Sequence, residues 1–242
     1  MANDKYGIIK PKAKFPFRKL LKVPHKGGSL IVSYPAFGAG TYQENIKLMS
    51  EEYFHPITGK KMTFVPATTS ESISAAGWRF ETLAKPQIFD QSWLQIGYIV
   101  RTQDGIFTNS QITDESSLKK MLNGAKKVNG IYLINDKMAF APYESFKLGV
   151  QESGKFAEGG LARALENTEE KVAKNLKEIS SSEFYERGVN VWGFESVKEP
   201  ISRVVSLDSD WNLAGFDRLV VDGGDWYGSF NGYAFGVESV AD

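Results

Sequence analysis

The chain has 242 residues, 42% hydrophobic, 24% charged and 13% aromatic, the composition of a folded globular unit with a sizeable core. Its 29 basic and 29 acidic residues cancel, so no whole-molecule attraction to phosphate backbones or anionic lipid is built in. With no cysteine, disulfide staples, thiolate catalysis and Cys-ligated zinc are all excluded.

At the N-terminus, Met1 to Tyr6 contain no apolar stretch of signal type, and no apolar run reaches membrane-spanning length. The chain therefore reads as cytoplasmic by default, with surface display by another route left open. Lys10, Lys12, Lys14, Arg18, Lys19 and Lys22 form a basic run, read as a solvated tail and not as a nucleic-acid arm. Beyond it the patterning predicts a strand over Ser29–Tyr34, a helix over Tyr42–Phe54, and strands over Met62–Ala67 and Trp93–Thr102. A helix follows over Asp114–Asn123, then strands over Gly130–Asn135 and Lys137–Ala141. Asn135-Asp136 lies between these two as a tight turn able to take positive φ. Leu161, Leu165, Val172, Leu176 and Ile179 repeat at three- and four-residue steps, predicting one core-facing helix over Leu161–Ile179 with a Glu170–Lys174 pair on its wet side. Strands are expected over Gly188–Phe194 and Arg203–Leu207. From Ser206 onward glycine, aspartate and aromatics crowd together, which predicts loops and short strands. Strands and helices mix without regular alternation, so the fold class is α+β and not a doubly wound sheet.

Catalytic signatures are few. His25 and His55 have no nucleophile motif beside them and read as structural or solvated. Gly223 to Gly228 lacks the spacing of a dinucleotide loop. Asp208, Asp210 and Asn212 imitate the start of a calcium loop, but Leu213 replaces its glycine and Leu219 its glutamate, so no metal is expected. Asp208, Asp210, Asp217, Asp222 and Asp225 could pair for glycoside hydrolysis across a cleft; as turn aspartates they have a simpler role.

The strongest signal is compositional. Residues 1–199 contain 22 Lys, 17 Glu, 7 Gln and 5 Met, whereas residues 200–237 contain none of the four. At the earlier frequency about ten are expected there. Randomising the two adenines of an AAC or AAT codon yields Phe, Leu, Ile, Val, Ser, Pro, Thr, Ala, Tyr, His, Asn, Asp, Cys, Arg and Gly, and never Lys, Glu, Gln, Met or Trp. On that reading Trp211 and Trp226 are fixed scaffold residues among diversified neighbours. Burial alone is taken as a poor explanation, since surface loops use Lys, Glu and Gln freely.

The run Arg203-Val-Val-Ser-Leu, then Gly223-Gly224-Asp225-Trp226, then Asn231-Gly-Tyr-Ala-Phe-Gly-Val resembles the C-termini of variable proteins of diversity-generating retroelements, whose fold is that of C-type lectins. Gly159-Gly-Leu-Ala-Arg-Ala-Leu-Glu and Gly188-Val-Asn-Val-Trp-Gly-Phe are similar to the archaeal, nanoarchaeal-type members. The resemblance covers about residues 115–242. It implies a single C-type-lectin-like unit over 1–242, with a small antiparallel sheet, helices, an N-terminal extension of about residues 1–90 and a hypervariable segment over 206–237. It also implies a non-enzymatic, receptor-like protein whose ligand is a protein or cell-surface molecule, with no cofactor, no nucleic acid and no membrane insertion. Carried onto this chain, the ligand-contacting positions are Asp208, Ser209, Asp210, Asn212, Ala214, Phe216, Asp217, Val220, Asp222, Asp225, Tyr227, Ser229, Phe230 and Asn231. Tyr and Phe bring contact area at little rotamer cost, and Ser, Gly, Asn and Asp adapt their hydrogen bonding. The calcium and sugar signature of animal C-type lectins is missing at Glu199-Pro200-Ile201, and the cysteines of the formylglycine-generating enzymes are absent. The alternatives are an assembly protein of viral type, or a glycan hydrolase using the aspartate cluster.

Overall fold

The computed structural model describes residues 18–55, 57–80, 93–212, 215–224 and 232–238. The architecture is α+β with largely antiparallel pairing. No helix among the described residues is long and apolar enough to cross a membrane.

A small sheet opens and closes the chain. β1 (Lys19–His25) and β2 (Gly28–Tyr34) form a hairpin through Lys26 and Gly27, which take φ of 44° and 78° as a two-residue primed turn requires. β17 (Gly236–Glu238) lies antiparallel between β2 and β6 (Phe64–Pro66). Lys19 and Lys22 thus belong to a strand, and the Arg18 guanidinium lies 4.0 Å over the Phe37 ring and donates to the Ser33 hydroxyl and the Pro35 carbonyl. That corrects the solvated-tail reading for these three residues; Lys10, Lys12 and Lys14 lie outside the described residues.

The large sheet runs β12 (Gly149–Gln151), β13 (Val189–Trp192), β15 (Gly215–Asp222), β14 (Ile201–Asn212), β7 (Trp93–Arg101), β8 (Gly105–Thr108), β11 (Ala139–Pro142), β10 (Ile131–Leu133) and β9 (Lys126–Val128). β16 (Gly232–Ala234) pairs with the start of β7 and with β3 (Phe37–Gly40). The prediction of loops and short strands after Ser206 fails here. β14 and β15 are long neighbouring strands inside the sheet, and the glycines mark their ends. The β10–β11 turn forms where expected, but by another device. Neither Asn135 nor Asp136 takes positive φ; the Asn135 side chain instead accepts from the N–H groups of Lys137 and Met138 at 2.9 and 2.8 Å.

Helices lie on both faces of the large sheet. α1 (Tyr42–Met49) and α2 (Thr69–Gly77) each start at a capping box, Thr41 with Glu44 and Thr68 with Glu71. α1 is shorter than predicted: the chain turns at Ser50, and Tyr53–Phe54 form β4 against β5 (Lys61–Met62), where Tyr53 packs on Phe37 and Phe64. α3 (Glu115–Asn123) is capped by Asp114. α4 (Ser153–Glu158) precedes the largest correction, since Leu161–Ile179 is not one helix. α5 (Gly160–Glu166) ends at Asn167 in the left-handed conformation, φ 48°, and α6 (Lys174–Ser180) starts afresh after a loop. Four of the five apolar residues still converge: Leu161, Leu165, Leu176 and Ile179 are buried with Val189, Val191, Leu207, Leu219 and Val221 in one core, whereas Val172, in the loop, is half-buried and outside it. Glu170 and Lys174 pair at 2.7 Å, across the start of α6 and not along a helix.

Neighbouring strands approach closely at Gly105. A Cβ there would stand 2.3 Å from the Ala141 carbonyl oxygen of the neighbouring strand. Gly105→Ala is expected to destabilise the fold by about 1–3 kcal/mol, the usual cost of overpacking. Denaturant melts check this, and a wild-type midpoint would refute it.

Candidate functional site

The strand period of two sorts the described C-terminal positions between opposite faces. Leu207, Ser209, Leu219 and Val221 point into the core beneath the helices, and all four are buried. Ser209 bonds the buried Tyr185 hydroxyl at 2.6 Å. The expectation that Ser209 contacts ligand is therefore corrected: the pleat turns it inward.

Asp208, Val220 and Asp222 face the other way and are half-buried. Register extends this face across neighbouring strands in two rows. One row runs Val150, Asn190, Val220, Asp208; the next runs Trp192, Asp222, Ser206, Gln95. Val150 and Trp192 are 58% and 45% exposed, unusual for large apolar side chains on a sheet. Neither was singled out from sequence, although Trp192 stands out in Gly188 to Phe194 as an aromatic at an alternate position. The rows end under α1, where Gln95 is buried and accepts from Asn45 Nδ2 at 2.9 Å.

Asp210, Trp211, Asn212, Phe216 and Asp217 lie on β14 and β15 by backbone, and their side chains fall outside the described set. Ala214, Asp225, Trp226, Tyr227, Ser229, Phe230 and Asn231 lie outside the described residues altogether. Of the aspartate cluster, Asp208 accepts from the Ser209 N–H at 2.7 Å, and Asp222 from the Gly224 N–H at 2.7 Å. Asp208, Asp210 and Asp217 are strand residues, which corrects their reading as turn aspartates, whereas Asp222 ends β15 and caps the Gly224 N–H two residues on, as a turn aspartate does. No known protein family, curated protein or solved structure matches the chain.

Burial also bears on the missing residue types. None of residues 200–209, 218–224 and 232–237 is fully exposed, so packing removes part of the opportunity for Lys, Glu and Gln in this segment. The gap is informative chiefly at half-buried positions such as Asp208, Val220 and Asp222.

A second concentration of polar groups lies on the side that α2, α5 and α6 cover. A cleft of about 940 Å3 opens between the β1–β2 turn, α2, the β10–β11 turn and the α5–α6 junction. His25 is held by Ser74, Nδ1 to Oγ 2.9 Å, and its basicity is lowered, first by burial and then by Lys26. His55 instead accepts from the Ile57 and Thr58 N–H groups in a turn. Glu166 is 7% exposed, and its Oε1 accepts from the Leu176 N–H at 2.6 Å, capping α6 from ten residues away. Burial pushes this carboxyl up to about 7, against the opposing pull of the Leu176 and Asn175 N–H groups.

Two outcomes follow. Ser209→Ala strands the Tyr185 hydroxyl and is expected to cost about 1–3 kcal/mol, whereas Val220→Ser changes stability by about 0.5 kcal/mol or less. Denaturant melts check both, and equal effects would refute the two-face assignment. For Glu166, the raised folded value means that the native state holds the proton more tightly than the unfolded chain does. Stability should therefore fall as pH rises through the interval from about 4.5 to 7, by up to about 3 kcal/mol from this group. Glu166→Gln retains an oxygen for the Leu176 N–H, so the variant should lose this slope and exceed wild type in stability at pH 8. Melts of both proteins from pH 5 to 8 measure it; parallel curves would count against the assignment.

Proposed function

We propose that this protein is a non-enzymatic, diversified ligand-binding protein, with a C-type-lectin-like scaffold presenting a variable surface from residues 206–237. The observation that carries the reading is the absence of Lys, Glu, Gln and Met from residues 200–237. Those are types that adenine randomisation of AAC or AAT cannot produce. The register supports it, because Asp208, Val220 and Asp222 share one sheet face with Val150 and Trp192. On that face Trp192 and Val150 supply rigid contact area, and the three neighbouring positions supply changeable chemistry. Tyr227, Ser229, Phe230 and Asn231 are assigned to the same role by the resemblance to variable proteins of diversity-generating retroelements. The ligand class is a protein or cell-surface molecule. Recognition needs no metal or cofactor, since contact area, shape and hydrogen bonding supply the affinity.

The test is the DNA beside the coding sequence. A near-identical copy of the segment encoding 206–237 is expected close by, differing only where that copy carries adenine, next to a reverse-transcriptase gene. Sequencing many individuals should find changes at Asp208, Val220 and Asp222 and none at Leu207, Leu219 or Val221. Flanking DNA without such a copy, or changes spread evenly over both faces, would overturn the proposal.

A further inference from the structure

We propose that the cleft between α2, the α5–α6 junction and the two hairpin turns binds a small primary amine as its ammonium ion, held by Glu166 and Asn167. This site is on the side of the sheet that α2, α5 and α6 cover and does not depend on the variable face.

Its floor is polar and already ordered. Ser70, Ser74, Glu166 and Asn167 line the cleft, and each is at least nine-tenths buried. Their internal bonds fix them in place: the Ser70 hydroxyl donates to the Glu166 carbonyl at 2.7 Å, and Asn167 Nδ2 donates to the Asn135 carbonyl at 3.1 Å. After these bonds one atom is left over. Asn167 Oδ1 is buried with no hydrogen-bond partner. A buried carbonyl oxygen without a donor is costly, so it calls for a donor from outside the chain. The Glu166 carboxylate, next in sequence, accepts from the Leu176 N–H and from the Asn175 N–H and side chain, three of the about four acceptor positions of a carboxylate.

Two adjacent acceptors, one of them anionic, specify a ligand rich in donors and positively charged. An ammonium has three N–H donors and no acceptor, so it satisfies both oxygens and neutralises the buried carboxylate. The rim argues against an anion. Lys126 and Lys174 are tied to Glu169 and Glu170 at 2.6 and 2.7 Å, and Lys26 Nζ donates to the Asp136 carbonyl at 2.8 Å.

Binding depends on the protonation of Glu166. The charged or titratable groups around the cleft are His25 and Lys26 from the β1–β2 turn, Glu71 on α2, Asp136 from the β10–β11 turn, and Lys126 on β9. Glu169, Glu170 and Lys174 complete the set. Of these, Glu166 has its proton affinity raised to about 7, so the carboxylate form that binds ammonium is lost as pH falls below that value. His25 has its basicity lowered, first by burial and then by Lys26.

The experiment is an amide proton–nitrogen NMR titration of the full chain with n-butylamine at pH 8, where the amine is protonated; n-butanol and n-butyrate serve as controls. Saturable shifts are expected at the Asn175 and Leu176 amides and the Asn167 side-chain amide, with the amine alone. Glu166→Gln should keep the spectrum of a folded protein and weaken binding at least tenfold. Asn167→Gly, which suits the left-handed backbone, should also weaken it. Between pH 8 and 5.5 wild-type affinity should fall at least tenfold while that of Glu166→Gln stays flat. A cleft that holds only water gives no saturable shift at pH 8, and that result ends the proposal. Equal responses to butanol or butyrate, wild-type titration by Glu166→Gln, or a pH-independent wild-type affinity would each overturn it as well. None of these outcomes bears on the variable-face reading, which is tested by DNA.

Discussion

Alternation along β14 and β15 is the constraint on which the rest of the molecule depends. Leu207, Ser209, Leu219 and Val221 form the ceiling over α5 and α6, and the register Leu207↔Val221 and Ser209↔Leu219 leaves no freedom to slide. A slip by one residue would bury Asp208 and Asp222 and expose four core positions, so a buried face fixes the pairing strongly. The Tyr185–Ser209 bond adds a directional lock that apolar packing lacks. With this hairpin set, β13 and β12 extend one edge, and β7 and β8 the other.

Much of this was legible where one physical signal dominated. The apolar runs at Trp93–Thr102 and Gly188–Phe194 correspond to β7 and β13, and Asp114 marks the start of α3. Legibility failed where signals competed. α2 is built around serines (Ser70, Ser72, Ser74), buried because their hydroxyls or small volume fit between helices, so no hydrophobic stripe announces it. Its Thr68–Glu71 capping box is the one local sign of its start. Over Leu161–Ile179 the apolar spacing was right about burial and wrong about continuity. Two helices meeting at an angle bury the same residues that one helix would, and periodicity does not tell them apart. Asn167, a residue tolerant of left-handed φ, was the local sign of the break.

The candidate surface shows the same division. Its pleat could be inferred once the segment was known to be strand, but crowded glycines and aspartates argued for loops. Glycine at Gly223 and aspartate at Asp222 end β15, and neither interrupts it. Burial then changes the weight of the composition gap. An interior strand position excludes lysine or glutamate on solvation grounds alone, whatever the history of its codon. A half-buried, outward position does not, because Lys and Glu keep a charged head in water while the stem lies along the sheet. The signal therefore rests on few residues; Asp208, Val220 and Asp222 share one face, while the half-buried Ser202 and Arg203, consecutive on β14, face opposite ways.

The two faces also differ in the chemistry they can hold. Randomised adenine codons never encode Glu or Lys, and the cleft is lined by Glu166, Glu169, Glu170, Lys26, Lys126 and Lys174. Every one of these lies before residue 200. A protein whose sheet face changes between individuals would therefore keep its cleft constant, since diversification can neither reach nor recreate its ion pairs. Leu207, Leu219 and Val221 lie buried between the two faces. The physical arrangement thus permits one variable and one fixed recognition site on a single sheet, with the buried row of β14 and β15 as the partition.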